Sequence, residues 1–314
     1  MKRDHRSSGR SVRRTVGLGV AALAALGLGV GWVYRDTVAS YAQLARAYYA
    51  ARRFYAQYEH LERNVAFHPE MAPRLDVYSP PSGTGYPVLF FVHGGSWKDY
   101  DKELFAPVAM KLLPEEMVVV IPDYTLHPDA AYEQMAGEVA AALSWTLERI
   151  NEYGGDPARV IVAGHSAGAH LAGLAIMDPR FLADYGRSHA EVCGFVGMSG
   201  VYDVQAEYDY WLARGTFPRV IAEVMGGEDN FRQASPIHHV RPDLPPVLLI
   251  HGEEDETVPL SIATGFHAAL QSVGVATELE VYPGLGHADY LFAALSQERA
   301  QLVEDITAFV RRCP

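Results

Sequence analysis

Val160-Ile161-Val162-Ala163-Gly164-His165-Ser166-Ala167-Gly168-Ala169-His170 decides the fold. An unbroken apolar run reads as a buried strand, and the small residues from Ala167 to Met177 read as a helix. Between them sits a G-x-S-x-G pentapeptide, Gly164 to Gly168. A serine on a sharp strand-to-helix turn projects its hydroxyl out of the sheet. The helix N-terminus points backbone N–H groups at the same spot. Flanking glycines suit a turn with no room for Cβ atoms. The same pentapeptide arises by chance in glycine-containing loops, and the strand–turn–helix context is what argues against chance here.

A serine nucleophile needs a base, an orienter for that base and donors for an oxyanion. His287, in Gly284-Leu285-Gly286-His287-Ala288, follows the strand-like Glu278 to Tyr282 and is the candidate base. Asp255 follows the apolar run Val247-Leu248-Leu249-Ile250 and is the candidate orienter. Glu253, Glu254 and Glu256 stand beside it as alternative partners. His93-Gly94-Gly95-Ser96-Trp97 follows Val88 to Val92, the most strand-like segment of the chain. Backbone N–H groups around Gly94, Gly95 and Ser96, with that of Ala167, are the candidate oxyanion donors. Taken singly, each piece also has an ordinary reading: a surface histidine, a solvated acidic loop, a plain di-glycine turn. Taken together, every piece follows an expected strand.

These motifs, with Gly164-His165-Ser166-Ala167-Gly168-Ala169-His170 and His251 to Pro259, resemble the α/β-hydrolase superfamily over roughly residues 65 to 314. The order oxyanion loop, Ser, Asp, His is the superfamily's chain order. Within it they resemble the esterase/lipase branch that holds small carboxylesterases, kynurenine formamidases and prenylcysteine methylesterases. Ser96 departs from the third glycine of many HGGG-type lipases, which leaves open which N–H groups face an oxyanion. The resemblance implies a mostly parallel central sheet with helices on both faces and a small cap insertion.

The rest of the chain fits that frame. Leu75 to Tyr78, Met117 to Ile121, Val192 to Met198, Val247 to Ile250 and Thr277 to Val281 are expected strands. Asp129 to Tyr153 and Gln297 to Arg312 are expected helices. The insert, about 202–243, carries Tyr202, Tyr208, Tyr210, Trp211 and Phe217. Trp97, Trp211 and Tyr202 are the expected substrate contacts, though aromatics of an insert also build its own small core. Asp123-Tyr124 is expected to anchor the oxyanion loop. Cys193, in a strand-like run, reads as a buried small hydrophobe rather than half of a disulfide with Cys313.

Charge is unevenly spread over the 314 residues, whose net charge is −12. Lys2, Arg3, Arg6, Arg10, Arg13 and Arg14 make the first residues basic, so the remainder is more acidic than the whole. That remainder suits neither nucleic acid nor an anionic membrane surface. Residues 1–15 read as a basic cytoplasmic tail. Val16 to Tyr34 is free of charge and as a helix spans roughly 28 Å, against about 30 Å of bilayer hydrocarbon. It reads as a transmembrane signal-anchor that leaves the catalytic domain across the membrane. The competing reading is a cleaved signal peptide and a secreted or periplasmic enzyme. Residues 35–64 read as a helical stalk, its Tyr and Leu stripe packing on the domain or the membrane surface. The expected function is hydrolysis of a small-molecule carboxylic ester through an acyl-enzyme, with no metal or organic cofactor. Amide or arylformamide cleavage is the alternative, then a non-catalytic tethered binder. Nothing in the sequence sets the oligomeric state.

Overall fold

The structure, a computed structural model, describes residues 49–50, 52–291 and 300–313. The expected tail, membrane segment and first part of the stalk lie outside the described residues, as does the expected start of the last helix. Among the described residues no helix is long and apolar enough to cross a membrane.

From the N-terminus the elements are β1 (Leu61–Val65), β2 (Leu75–Tyr78), β3 (Tyr86–Val92), α1 (Ala106–Leu112), β4 (Val118–Pro122) and α2 (Tyr132–Arg149). Then follow β5 (Gly155–His165), α3 (Ala167–Met177), α4 (Pro179–Ala183) and β6 (Gly194–Met198). The insert holds α5 (Val204–Ala213) and α6 (Arg219–Val224), and the chain continues through β7 (Val247–Gly252), α7 (Leu260–Ser272), β8 (Thr277–Tyr282) and α8 (Gln301–Val310). One eight-stranded sheet runs β1-β2-β4-β3-β5-β6-β7-β8. Its β1–β2 and β2–β4 pairs are antiparallel, and every pair from β4–β3 to β7–β8 is parallel.

The strands are apolar on both faces because both faces are covered. Val88, Phe90 and Val92 of β3 join the core under α2, α3 and α7, while Leu89 and Phe91 join the one under α1 and α8. This is the two-residue alternation of a pleated strand. Helix α2 buries Met135, Val139, Ala142, Leu143 and Leu147, the stripe its spacing predicts. The expected single helix to Tyr153 instead tightens into a 3₁₀ turn at Ile150–Tyr153. Gly154, at φ +84°, ends it, since a left-handed residue cannot continue a helix.

The sequence reading differs from the structure also in the stalk and in the cysteines. It ran the helical stalk to residue 64, but only 49–50 and 52–57 are helical at its described end, and Leu61–Val65 is the sheet's edge strand. The stalk's aromatics pack on the domain: Phe54 stacks on Tyr58 and on Tyr78, and Tyr58 donates to Ser79 O at 2.7 Å. It also set Cys193 apart from Cys313. The two are disulfide-bonded, with Cα atoms 5.8 Å apart across a sequence separation of 120 residues. The bond ties the segment entering β6 to the end of α8, a proximity that no local pattern encodes. Closing so long a loop removes about 4–5 kcal/mol of unfolded-state entropy in the chain-entropy account. Cys313→Ser is therefore expected to lower unfolding stability by about 2–5 kcal/mol. Urea titrations of oxidised wild type and variant check it, and coincident midpoints would refute it.

Candidate active site

The sheet positions the site through its topology. From β3 the chain passes through α1 to β4 on one side, then through α2 back to β5 on the other. The strand order reverses there, and loops at the carboxyl ends of two neighbouring parallel strands open a crevice between them. The His93–Trp97 loop leaves β3 and Ser166 leaves β5.

Ser166 alone joins β5 to α3, at φ +54° and ψ −124°. A non-glycine residue at positive φ is strained, and the surroundings must hold it. Two glycines let them do so. A Cβ at Gly164 would meet the Gly168 carbonyl carbon and oxygen at 2.6 Å, and one at Gly168 would strike the backbone carbonyls of Val92 and His93. The helix thus abuts both its own strand and the neighbouring loop, which brings its first N–H groups over the serine.

Ser166 Oγ lies 2.9 Å from His287 Nε2, and His287 Nδ1 lies 2.8 Å from Asp255 Oδ2. A carboxylate only accepts, so Nδ1 carries the proton, Nε2 accepts, and the serine hydroxyl donates to it. The acidic neighbours Glu253, Glu254 and Glu256 make no such contact; Glu253 Oε2 accepts from Gly284 N instead. Asp255 is buried, and its other oxygen, Oδ1, accepts from Thr257 N and Val258 N, both at 2.9 Å. Burial alone would raise its pKa. Hydrogen bonds from His251 and His287, the charge of His287 and the Val258 N–H outweigh burial and hold it below the usual carboxylate range.

Three histidines that the sequence reading left without a role complete this frame. His251, fully buried, points Nε2–H between Val258 O at 2.9 Å and Asp255 Oδ2 at 3.2 Å, so Asp255 is gripped from two sides. His165 donates from Nε2 to the backbone carbonyl of His287 at 2.9 Å. Burial first, then the neighbouring His287, pushes His165 down to about 3, so it stays neutral and acts as a fixed strut. His170, one helical turn beyond the serine, accepts from Trp97 Nε1 at 3.1 Å and donates from Nε2 to Ala234 O at 2.7 Å. Burial pushes it down to about 4, which preserves that acceptor nitrogen across the neutral range. The only sequence signal for these roles was position inside the quoted motifs.

The loop after β3 has a mixed outcome. Ser96 and Ala167 line the same crevice as Ser166. Gly94 packs close against the elbow, where a Cβ would meet His165 O at 2.9 Å and Ser166 Cβ at 3.1 Å. Gly95, at φ +130°, makes the turn whose carbonyl accepts from Lys98 N and Asp99 N. Ser96 and Trp97 follow at φ +50° and +60°, and the N–H groups of Gly95 and Ser96 donate to no backbone carbonyl among the described residues. Asp123-Tyr124 anchors the loop as expected: Tyr124 donates to His93 O and its ring stacks on His93 at 4.6 Å. Asp123 accepts from Lys102 N at 2.7 Å.

A crevice of about 340 Å³ opens beside Ser166, lined among others by Trp97, Val201, Trp211, Phe217 and Ile221. Of the expected substrate contacts, Trp97 and Trp211 reach it and Tyr202 does not. Tyr202 is fully buried and stacks on Phe266 of α7 at 4.3 Å. Its ring fills the space over Gly197 and Gly200, where a Cβ would collide with it. It is a core residue because it directly follows β6, before the chain has left the sheet. Among the described residues no cluster of His, Cys, Asp and Glu could hold a metal ion.

The BD-FAE family model matches residues 75–270. The chain belongs to the BD-FAE family. Isoprenylcysteine alpha-carbonyl methylesterase ICME of Arabidopsis thaliana is 28% identical to it over 317 residues, covering 94% of this chain and 73% of the relative. Esterase LipQ of Mycobacterium tuberculosis is 30% identical over 241 residues, 74% of this chain and 57% of the relative. Of a further Arabidopsis thaliana relative, named "Probable isoprenylcysteine alpha-carbonyl methylesterase ICMEL1", the chain spans 64% of the length. A carbohydrate esterase from gut microbiota superposes with a TM-score of 0.69 at 21% identity, covering 82% of this chain and 96% of that one. The fold is that of the α/β-hydrolases, and this BD-FAE chain falls in an esterase branch of them.

Proposed function

We propose that this chain hydrolyses carboxylic esters through Ser166, His287 and Asp255. The observation that carries the proposal is the unbroken hydrogen-bond relay from Ser166 Oγ through His287 to Asp255, at 2.9 and 2.8 Å. His287 takes the hydroxyl proton as Oγ attacks the carbonyl carbon, and Asp255 stabilises the imidazolium. Negative charge on the carbonyl oxygen is met by backbone N–H groups of Gly95, Ser96 and Ala167, with Gly94 holding the loop against the elbow. His287 then gives its proton to the leaving alcohol. Water, deprotonated by the same nitrogen, cleaves the acyl-enzyme and restores the serine. No step calls for a metal or organic cofactor. Trp97 and Trp211 offer apolar walls for the acyl or alkyl group.

Ester rather than amide cleavage is favoured by the relatives, which are esterases by name. Matched p-nitrophenyl ester and p-nitroanilide substrates test the choice. The ester is expected to turn over at least a hundredfold faster, and a comparable anilide rate would overturn the preference. The disulfide supports a catalytic domain in an oxidising, extracytoplasmic compartment; the uncharged run Val16 to Tyr34 would serve there as its tether or as a cleaved signal peptide. Alkylation of freshly isolated protein without reductant should leave Cys193 and Cys313 unlabelled; labelling of both would place the domain elsewhere.

A further inference from the structure

The crevice beside Ser166 contains a carboxyl group that the triad does not use. Glu207 projects from α5 of the insert into the lining shared by Ser166, Trp97 and Trp211, and is only 3% exposed. Its Oε1 accepts from Trp211 Nε1–H at 2.8 Å. Its Oε2 is buried and has no hydrogen-bond partner among the described residues. The charged side chains of the same lining, Lys98 and Arg219, are committed elsewhere, to Asp99 and Glu223. A buried polar oxygen left unpaired is costly, and natural cores contain few of them.

We propose that Glu207 selects substrate, its free oxygen hydrogen-bonding a hydroxyl group on the ester held beside Ser166. This rests on the ester-hydrolase reading of that crevice and names what its substrate must carry. The choice of a hydroxyl follows from the carboxyl's own chemistry. Burial pushes Glu207 up to about 8; the Trp211 N–H opposes the rise and Asp255 adds to it. Near neutrality the carboxyl is mostly protonated. Oε1 is already an acceptor, so the proton sits on Oε2 and makes it a donor. In the ionised fraction Oε2 is an acceptor. A hydroxyl, both donor and acceptor, pairs with either form, an ammonium pairs only with the ionised one, and a methyl group pairs with neither. A site built to bond a substrate hydroxyl rejects the analogue lacking it far more strongly than an apolar pocket rejects a missing methylene.

The test uses the full chain and two matched ester series. One varies the acyl group: p-nitrophenyl butyrate, 3-hydroxybutyrate and 3-aminobutyrate. The other varies the alcohol: propyl, 2-hydroxyethyl and 2-aminoethyl butyrate. Wild type is expected to favour the hydroxylated member of at least one series by tenfold or more in kcat/KM. Glu207→Met should bring the ratio of hydroxylated to plain ester kcat/KM down to near one, whatever its effect on the plain ester itself, and Glu207→Gln should keep part of the ratio. A Glu207 that merely braced Trp211 would slow plain and hydroxylated esters alike. The proposal is overturned if wild type shows no hydroxyl preference in either series, if Glu207→Met retains it, or if the ammonium ester is the favoured member. The wild-type ratio is decisive even where the Met variant fails to fold. Fluorophosphonate labelling of wild type separates the two readings: labelling without hydroxyl preference sinks only this one, whereas no labelling sinks the ester-hydrolase reading beneath it.

Discussion

Ser166→Ala is expected to lower kcat on a p-nitrophenyl ester by about 10⁴- to 10⁶-fold while leaving the thermal midpoint within a few degrees of wild type. The large rate effect follows from removing the atom proposed to form the acyl-enzyme, Oγ at 2.9 Å from His287 Nε2. What remains is attack by water with help from the oxyanion donors, worth about 10³–10⁴ over solution. The small stability effect follows from the side chain's limited partners. The Ser166 N–H still donates to Met198 O at 2.8 Å, and the elbow's positive φ is strained for alanine as it was for serine. Steady-state kinetics, with fluorophosphonate labelling as a second readout, check the result. Turnover within tenfold of wild type would remove this serine from the mechanism.

Asp255→Asn is expected to cost about 10⁴-fold in kcat with near-normal KM. An amide occupies the same volume but can present an N–H to His287 Nδ1. The ring then holds the tautomer with its proton on Nε2, the nitrogen facing Ser166, and cannot accept the hydroxyl proton. The two-sided grip on Asp255 sharpens the prediction. His251 Nε2–H, Thr257 N–H and Val258 N–H all donate to this carboxylate, so an amide nitrogen on either side faces a donor. Some loss of stability, about 1–3 kcal/mol, is therefore expected alongside the loss of rate. The neighbouring Glu253→Gln and Glu254→Gln serve as controls and should stay within threefold of wild type. A Glu254 variant as impaired as Asp255→Asn would move the orienter to the wrong carboxylate and defeat the assignment.

Much of this arrangement is legible in the sequence because it is written in short-range terms. Alternating and continuous apolar runs mark β3, β5 and β7, since strand pleating and two covered faces leave no other composition for them. Helix α3 begins and ends where its small apolar run does. Asp123-Tyr124 as an anchor and Trp97 as a crevice wall also follow from chain neighbours of the oxyanion loop. The edge strand β1 was hidden because its exposed outer residues, Glu62, Arg63 and Asn64, carry no apolar alternation. The 3₁₀ end of α2 was hidden because tightening a last turn leaves the side-chain stripe almost unchanged.

Other features could not be read that way. Tyr202 and Trp211 are both aromatic residues of one insert, yet one stacks under α7 and the other walls the crevice. The choice depends on how far the chain has left the sheet, which is a property of packing. The three supporting histidines touch partners such as Ala234, His287 and Val258 through loops whose approach only the assembled sheet dictates. Cys193 and Cys313 meet for the same reason. The sequence by itself determined the strand–elbow–helix unit and the order of the candidate reactive side chains along the chain, because local periodicity and backbone strain are set by adjacent residues. Only the tertiary structure decided which carboxylate faces the imidazole, which aromatics line the crevice and that Glu207 lies buried beside it, because those contacts join segments tens to more than a hundred residues apart.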